Sequence, residues 1–279
     1  MTLMNLREAI ALASDEGRAL GAFNVVHVET AEALVAAAET ADLPVVLQIS
    51  QNCADYHRGL APLALACYNM ADHSRQSVVL HLDHAEDPAL ILAALDLGFT
   101  SVMYDGSRLP FADNVGGSRA AVLAAEQYGA SVEAELGEVG GKEGAHVAGA
   151  RTEPAQAKEF CDLTGVDALA VAVGSSHAMA TRTAALDIDL VEQLRRTVPV
   201  PLVLHGSSGV PDSGIRGAID AGIAKVNVST HLNAVFTREL ADYMARQPDV
   251  IDSRKYVAAG RDALQTEATR LLRLFAGHP

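Results

Sequence analysis

Along the chain, short runs rich in Val, Ile and Leu alternate with longer stretches in which Ala and Leu recur at helical spacing. The apolar runs predict strands over residues 22–26, 45–49, 78–82, 101–104, 131–135, 168–173, 202–204 and 224–228. Helices are predicted before, between and after them, over 3–16, 29–41, 60–71, 88–97, 114–128, 154–163, 190–196, 214–221 and 232–246. The stretch 29–41 shows the pattern: Ala31, Leu34, Val35 and Ala38 fall on one face, ready to pack on a sheet. The last stretch reads as a loop carrying Asp252-Ser253-Arg254, followed by an amphipathic helix over 261–275 whose expected role is packing.

Strands that are apolar throughout must be buried on both faces, which implies a parallel sheet covered by helices. Eight strand–helix units imply that this sheet closes, so the expected fold is a (β/α)8 TIM barrel in one domain spanning residues 1–279. An open doubly wound sheet is the alternative; the first strand is not followed by the Gly-x-Gly-x-x-Gly turn common in that class.

Composition narrows the function. With 49% hydrophobic and 20% charged residues, the chain can bury a large core as a globular protein. No membrane span is expected, because no uncharged apolar run reaches about 18 residues, and the first residues lack the pattern of a signal peptide. Cys53, Cys67 and Cys161 have no metal-ligand spacing and read as reduced thiols of a cytoplasmic enzyme. A net charge of −14 argues against a nucleic-acid partner but leaves room for an anionic small molecule in a locally positive pocket.

The residues ending the strands, in order, are Asn24, Ser50, Asp83 with His84, Asp105, Glu135, His177, His205 and Asn227. Barrel active sites form at that face, so compact polar groups at all eight strand ends point to a site, whereas any one alone is a poor signal. His84, His177 and His205 would converge on the axis, and three protein ligands with one open position is the arrangement of catalytic zinc. His81 sits within its strand as a packed neighbour, and the other histidines lack this placement. The loop His205-Gly206-Ser207-Ser208-Gly209 reads either as a helix cap or, with Asn227-Val228-Ser229-Thr230, as an anion site. A Gly-rich loop over 136–151, carrying Glu138 and Glu143, reads as a lid.

These positions together resemble the class II, metal-dependent fructose-bisphosphate aldolase family, which includes tagatose-bisphosphate aldolases. The resemblance runs from Phe23-Asn24 to Asp252-Ser253-Arg254 and is carried by His81-Leu82-Asp83-His84, by residues 131–137 (Ser-Val-Glu-Ala-Glu-Leu-Gly), by Leu204-His205-Gly206-Ser207-Ser208-Gly209 and by Val226-Asn227-Val228-Ser229-Thr230. It implies zinc ligands at His84, His177 and His205, a carboxylate acting on the C4 oxygen at Asp83, and a lid glutamate moving the C3 proton at Glu143. Asp105 and Glu135 then belong to a supporting shell or a second divalent site, and a monovalent cation is a further cofactor of the resemblance. Substrate and phosphate contacts fall on Asn24, Ser50, Gly206, Ser208, Asn227, Thr230 and Arg254. No Schiff-base lysine is needed, and Lys225, inside the last strand, is expected to face outward.

The chain departs from the family pattern at Ala178-Met179-Ala180, where Gly and Tyr are usual, at Ser229, and at Asp252-Ser253-Arg254, where Asp-Pro-Arg is usual. The expected activity is reversible cleavage of fructose or tagatose 1,6-bisphosphate by a homo-oligomer, dimer or tetramer, with a phosphorylated ketose as its only expected partner class. The rivals are the same chemistry on another phosphorylated ketose, a metal-dependent phosphosugar epimerase, and a non-catalytic sugar-phosphate-binding barrel.

Overall fold

A computed structural model describes residues 3–137, 151–176 and 181–277. The strands are β1 (Leu20–Asn24), β2 (Val45–Ser50), β3 (Val78–Ala85), β4 (Ser101–Tyr104), β5 (Ser131–Leu136), β6 (Ala168–Val171), β7 (Leu202–Leu204) and β8 (Ile223–Val228). Each pairs in parallel with its neighbour, and β1 pairs with β8 as well as with β2, which closes the barrel and rules out the open sheet. Helix α1 (Leu6–Asp15) precedes β1; α2 (Val28–Ala41), α3 (Gln51–Tyr56), α4 (Ala61–His73), α5 (Pro88–Asp96), α6 (Phe111–Glu126), α7 (Pro154–Thr164), α8 (Ile188–Thr197) and α9 (Asp212–Ala221) connect the strands. Helices α10 (Thr230–Arg246) and α11 (Ser253–Phe275) follow β8.

Strand alternation divides the core in two. Leu20, Ala22, Val46, Val79, Met103, Ala168, Ala170 and Val203 fill the lower interior, and α1 closes the floor with Leu6, Ala9 and Ile10. Burying each Leu or Ile in that floor contributes about 1.5–3 kcal/mol. The alternate residues, among them Phe23, Leu47, Leu80, Val102, Leu169 and Leu204, face the surrounding helices. Small inward residues on β6 leave space in the interior for longer polar side chains from the opposite strands.

Helix starts follow from local chemistry. Asp87 accepts the Ala89 N–H at 2.8 Å with Pro88 in the first turn, and Glu153 caps α7 ahead of Pro154. The C-terminal helix begins eight residues earlier than its periodicity suggests, because Asp252 accepts the Arg254 N–H at 3.1 Å. Asp252-Ser253-Arg254 is therefore a cap and first turn rather than a loop. The short α3 escapes the periodicity altogether; Ser50 caps it by accepting the Cys53 N–H at 3.2 Å. Among the described residues no helix is long and apolar enough to cross a membrane.

A charged network fastens α11 beside the upper face of the barrel. Glu267 lies 2.6 Å from the His231 ring and 2.7 Å from Arg270, which reaches on to Asp212 at 2.7 Å. Burial opposes the Glu267 charge, but the hydrogen bonds from Arg270 and His231 outweigh it and bring the carboxyl down to about 2. A carboxyl depressed in the folded state stabilises the fold above its ordinary value of 4.5, and that contribution is lost as pH falls toward about 2. In thermal melts between about pH 6 and pH 2, wild type is expected to lose more stability than Glu267→Gln. Parallel acid limbs for the two proteins would show that the network does not tie α11 down.

Candidate active site

A cavity of about 490 Å³ opens at the C-terminal end of the strands. Of the positions expected from the sequence, Asn24, Ser50, Asp83, His84, Asp105, His205, Gly206, Ser208, Asn227 and Thr230 line it. Glu135 is fully buried beneath it. His177 and Glu143, and with them residues 178–180, lie outside the described residues. Arg254 does not line the cavity: its side chain is 89% exposed and forks onto Asp252 at 2.9 and 3.0 Å.

Asp83 and His84 are consecutive, so regular alternation would send them to opposite faces of β3. The register between β3 and β4 slips by one residue between Leu82 and Ala85, and His84 takes φ +49. This bulge brings both side chains to the mouth of the barrel. Left-handed backbone is costly for a histidine and is held here by a 2.7 Å contact between His84 Nδ1 and Asp105 Oδ2.

His205, at the end of β7, is oriented from below. Its Nε2 lies 2.9 Å from Glu133 Oε1, and Lys225 donates to Glu133 Oε2 at 2.8 Å, all three side chains being fully buried. Lys225 therefore faces inward, which corrects the outward placement expected from the sequence. Lys225 lies two residues before Asn227 and shares its inward face; the strand slips register just before it, where Leu202 pairs with Ile223 but Val203 pairs with Lys225, leaving Ala224 as the extra residue. The Asn227 amide lies 3.0 Å from His205 Nε2.

A carboxylate acceptor beside one nitrogen of an imidazole keeps the proton there and turns the lone pair of the other outward. Asp105 does this for His84 and Glu133 for His205, leaving His84 Nε2 and His205 Nδ1 facing each other at 3.0 Å. Two lone pairs at that distance repel unless a cation or a proton lies between them. Two nitrogens on a tetrahedral zinc are about 3.3 Å apart, so the donor set fits a metal ion with little movement. Among the described residues two groups of side chains could hold such an ion: Asp83 with His84 and His205, and His84 with Asp105 and Glu135.

Asp83 is held at one oxygen. Asn24 donates to Oδ2 at 2.9 Å, and Gln48 donates to Asn24 Oδ1 at 2.8 Å. Asp83 Oδ1 has no hydrogen-bond partner among the described residues and lies 3.9 Å from His84 Nε2. Burial pushes the Asp83 carboxyl up, but His84, His205, Lys225 and the Asn24 hydrogen bond together hold it below the ordinary value. His81, one layer down, is pushed well below its ordinary value by burial and then by Lys225, so it is a neutral ring bonded to Ser101 Oγ at 2.8 Å.

On the opposite side the loop after β7 is built for close approach. Gly206 has φ +66, and a Cβ there would sit 2.7 Å from the Ser176 backbone. Ser207 donates to the Asn227 carbonyl, and Ser208 Oγ accepts the His231 N–H at 3.1 Å, tying this loop to β8 and α10. Ser229 makes no side-chain cap on α10, so the first-turn N–H groups of a 17-residue helix are not covered by their own cap. Ser50 lines the cavity while its hydroxyl caps α3.

Sequence reasoning passed over Glu133, Lys225, Gln48 and Arg108. The first three sit two residues before Glu135, Asn227 and Ser50, and so lie one inward layer below a strand end; the period of two was the signal. Arg108, which lines the cavity from the turn after β4, carries no such signal.

Replacing one partner of a buried ion pair strands the other charge at a cost of about 3–5 kcal/mol. Lys225→Met is expected to lose that much in urea unfolding, and Lys225→Met with Glu133→Gln to recover most of it. A single variant as stable as wild type would mean that Lys225 does not hold Glu133.

Residues 4–278 match the family model described as fructose-bisphosphate aldolase class II. Among solved structures, the YdjI aldolase of Escherichia coli K12 is 30% identical, with a TM-score of 0.83 over 98% of this chain and 97% of that one. A putative fructose-1,6-biphosphate aldolase from Coccidioides immitis is 26% identical, with a TM-score of 0.86 over 97% and 96%. The fructose-bisphosphate aldolase of Campylobacter jejuni, at 20% identity and TM-score 0.80 over 98% and 95%, shares the fold. A family match over nearly the whole barrel, with the site's carboxylate-backed imidazoles at its mouth, places this chain in the class II fructose-bisphosphate aldolase family, as a carbon–carbon lyase.

Proposed function

We propose that the protein is a zinc-dependent ketose-bisphosphate aldolase. It cleaves fructose 1,6-bisphosphate or tagatose 1,6-bisphosphate reversibly to glycerone phosphate and glyceraldehyde 3-phosphate. The observation that carries this reading is the 3.0 Å approach of His84 Nε2 and His205 Nδ1, each ring backed by a carboxylate, directly beside Asp83. These two rings, with His177 as the third ligand that the family resemblance supplies, would hold the ion. Once bound, zinc supplies Lewis-acid stabilisation of the negative charge that carbon–carbon cleavage leaves on the ketose fragment.

The remaining work falls to the protein. Asp83, ionised because its carboxyl is held low, accepts the C4 hydroxyl proton at Oδ1 while Asn24 and Gln48 hold Oδ2. The C4–O bond becomes the aldehyde carbonyl, the C3–C4 electron pair passes to the ketose fragment, and C3 then takes a proton, the role proposed for Glu143. Gly206, Ser208, Asn227 and Thr230, with the N-terminus of α10, receive the phosphate on the ketose fragment. Asp105 and Glu133 orient the imidazoles, and Asp105 and Glu135 with His84 offer the place for a second divalent ion. Cys53, Cys67 and Cys161 are free, and burial pushes the Cys67 and Cys161 thiols up to about 12, in keeping with a reducing cytoplasm. A single-domain subunit working in a dimer or tetramer completes the reading.

Product analysis on both bisphosphates tests it: triose phosphates are expected, the activity disappearing with a chelator and returning with zinc. Cleavage that survives complete metal removal, or no cleavage of either sugar, would overturn the proposal. Asp83→Ala should lower kcat by roughly 10²- to 10⁴-fold with metal content unchanged. Near-normal turnover in that variant would remove Asp83 from the proton transfer.

A further inference from the structure

A ketose bisphosphate presents a dianion at each end, and the two sides of the cavity differ in how they can meet one. The loops after β7 and β8 offer backbone N–H groups and hydroxyls without a cation. In the closed order β4 stands four strands from β8, so the turn after β4 looks across the mouth at those loops. That far side carries Glu86 and Asp105, which repel a phosphate. It also carries Arg108, the only Lys or Arg lining the cavity among the described residues. The backbone under Arg108 is tied: Asp105 Oδ1 accepts from the Ser107 N–H at 3.2 Å and from its hydroxyl at 2.7 Å, and the Leu109 N–H donates to the Gly106 carbonyl at 2.9 Å. Arg254, the contact expected for the second phosphate, stands outside the cavity on Asp252.

We infer that Arg108 is a specificity-determining residue that binds the phosphate on the aldehyde end of the substrate and so selects bisphosphates over ketose 1-phosphates. The inference rests on the aldolase reading above. A planar guanidinium matches phosphate with paired hydrogen bonds, and on a wall shared with Glu86 and Asp105 it is the positive charge that a phosphate can meet.

The test compares kcat/KM on fructose 1,6-bisphosphate and on fructose 1-phosphate for wild type, Arg108→Met and Arg108→Lys. Wild type is expected to prefer the bisphosphate, and Arg108→Met to reduce that preference by roughly 10- to 100-fold, mostly through KM. Arg108→Lys should retain part of it, as a point charge without the fork. An equal loss on both ketoses, or an unchanged preference, overturns the inference. Wild type that cleaves neither ketose instead fails the aldolase reading itself, and does so before any variant is made.

Discussion

The buried hydrogen bond between His205 and Glu133 sets the protonation pattern on which the site depends. A carboxylate 2.9 Å from Nε2 holds the proton there, so Nδ1 presents its lone pair to the cavity. Glu133 can do this only while its own charge is answered, and Lys225 answers it from 2.8 Å inside a fully buried layer. Such a pair adds little to stability relative to apolar side chains of the same size; its value lies in orientation. His84 repeats the arrangement from the other side through Asp105. The apolar floor under these groups, sealed by α1, keeps water from competing for the same hydrogen bonds.

Barrel closure does the rest by placing strand ends around one axis. Regular alternation puts Lys225 on the face of Asn227, two residues on, but it is not enough for Asp83 and His84, which are neighbours in sequence. The slip on β3 supplies the missing half-turn, and β8 carries a second slip at Ala224. Both lie on strands that deliver charged groups, and the β3 bulge sits at the barrel mouth, where an irregular strand can re-aim a side chain. Asn24 and Gln48 then fix one oxygen of Asp83, leaving the other without a hydrogen-bond partner among the described residues.

Much of this was legible in the chain. The eight apolar runs and the helices between them carry the barrel, because strands buried on both faces read as short, β-branched apolar runs set apart by longer stretches of helical spacing. The strand-end residues Asn24, Asp83, His84, Asp105, His205 and Asn227 do gather at one cavity. Register slips were not legible, because nothing in Leu82-Asp83-His84 or Ala224-Lys225-Val226 marks an extra residue, whereas the inward face of Lys225 follows from its spacing of two to Asn227. The layer below the mouth, where Glu133 and Lys225 act through His205 without touching the cavity, follows from that same period of two once the strand ends are placed. Arg254 reads as a phosphate contact by motif, yet its place on the first turn of α11 directs it to Asp252. Caps such as Ser50 and Asp252 extend the helical content past what periodicity alone predicts, because they act through one side-chain oxygen.

The central claim is that the two carboxylate-backed imidazoles share one metal ion beside Asp83. Diffraction at the zinc absorption edge from zinc-loaded crystals tests it most directly. A single strong anomalous peak bonded to His84 Nε2 and His205 Nδ1, next to Asp83 Oδ1, is the predicted result. A peak held instead by Asp105 and Glu135 with His205 Nδ1 uncoordinated, or no peak in protein that cleaves its substrate, would contradict it.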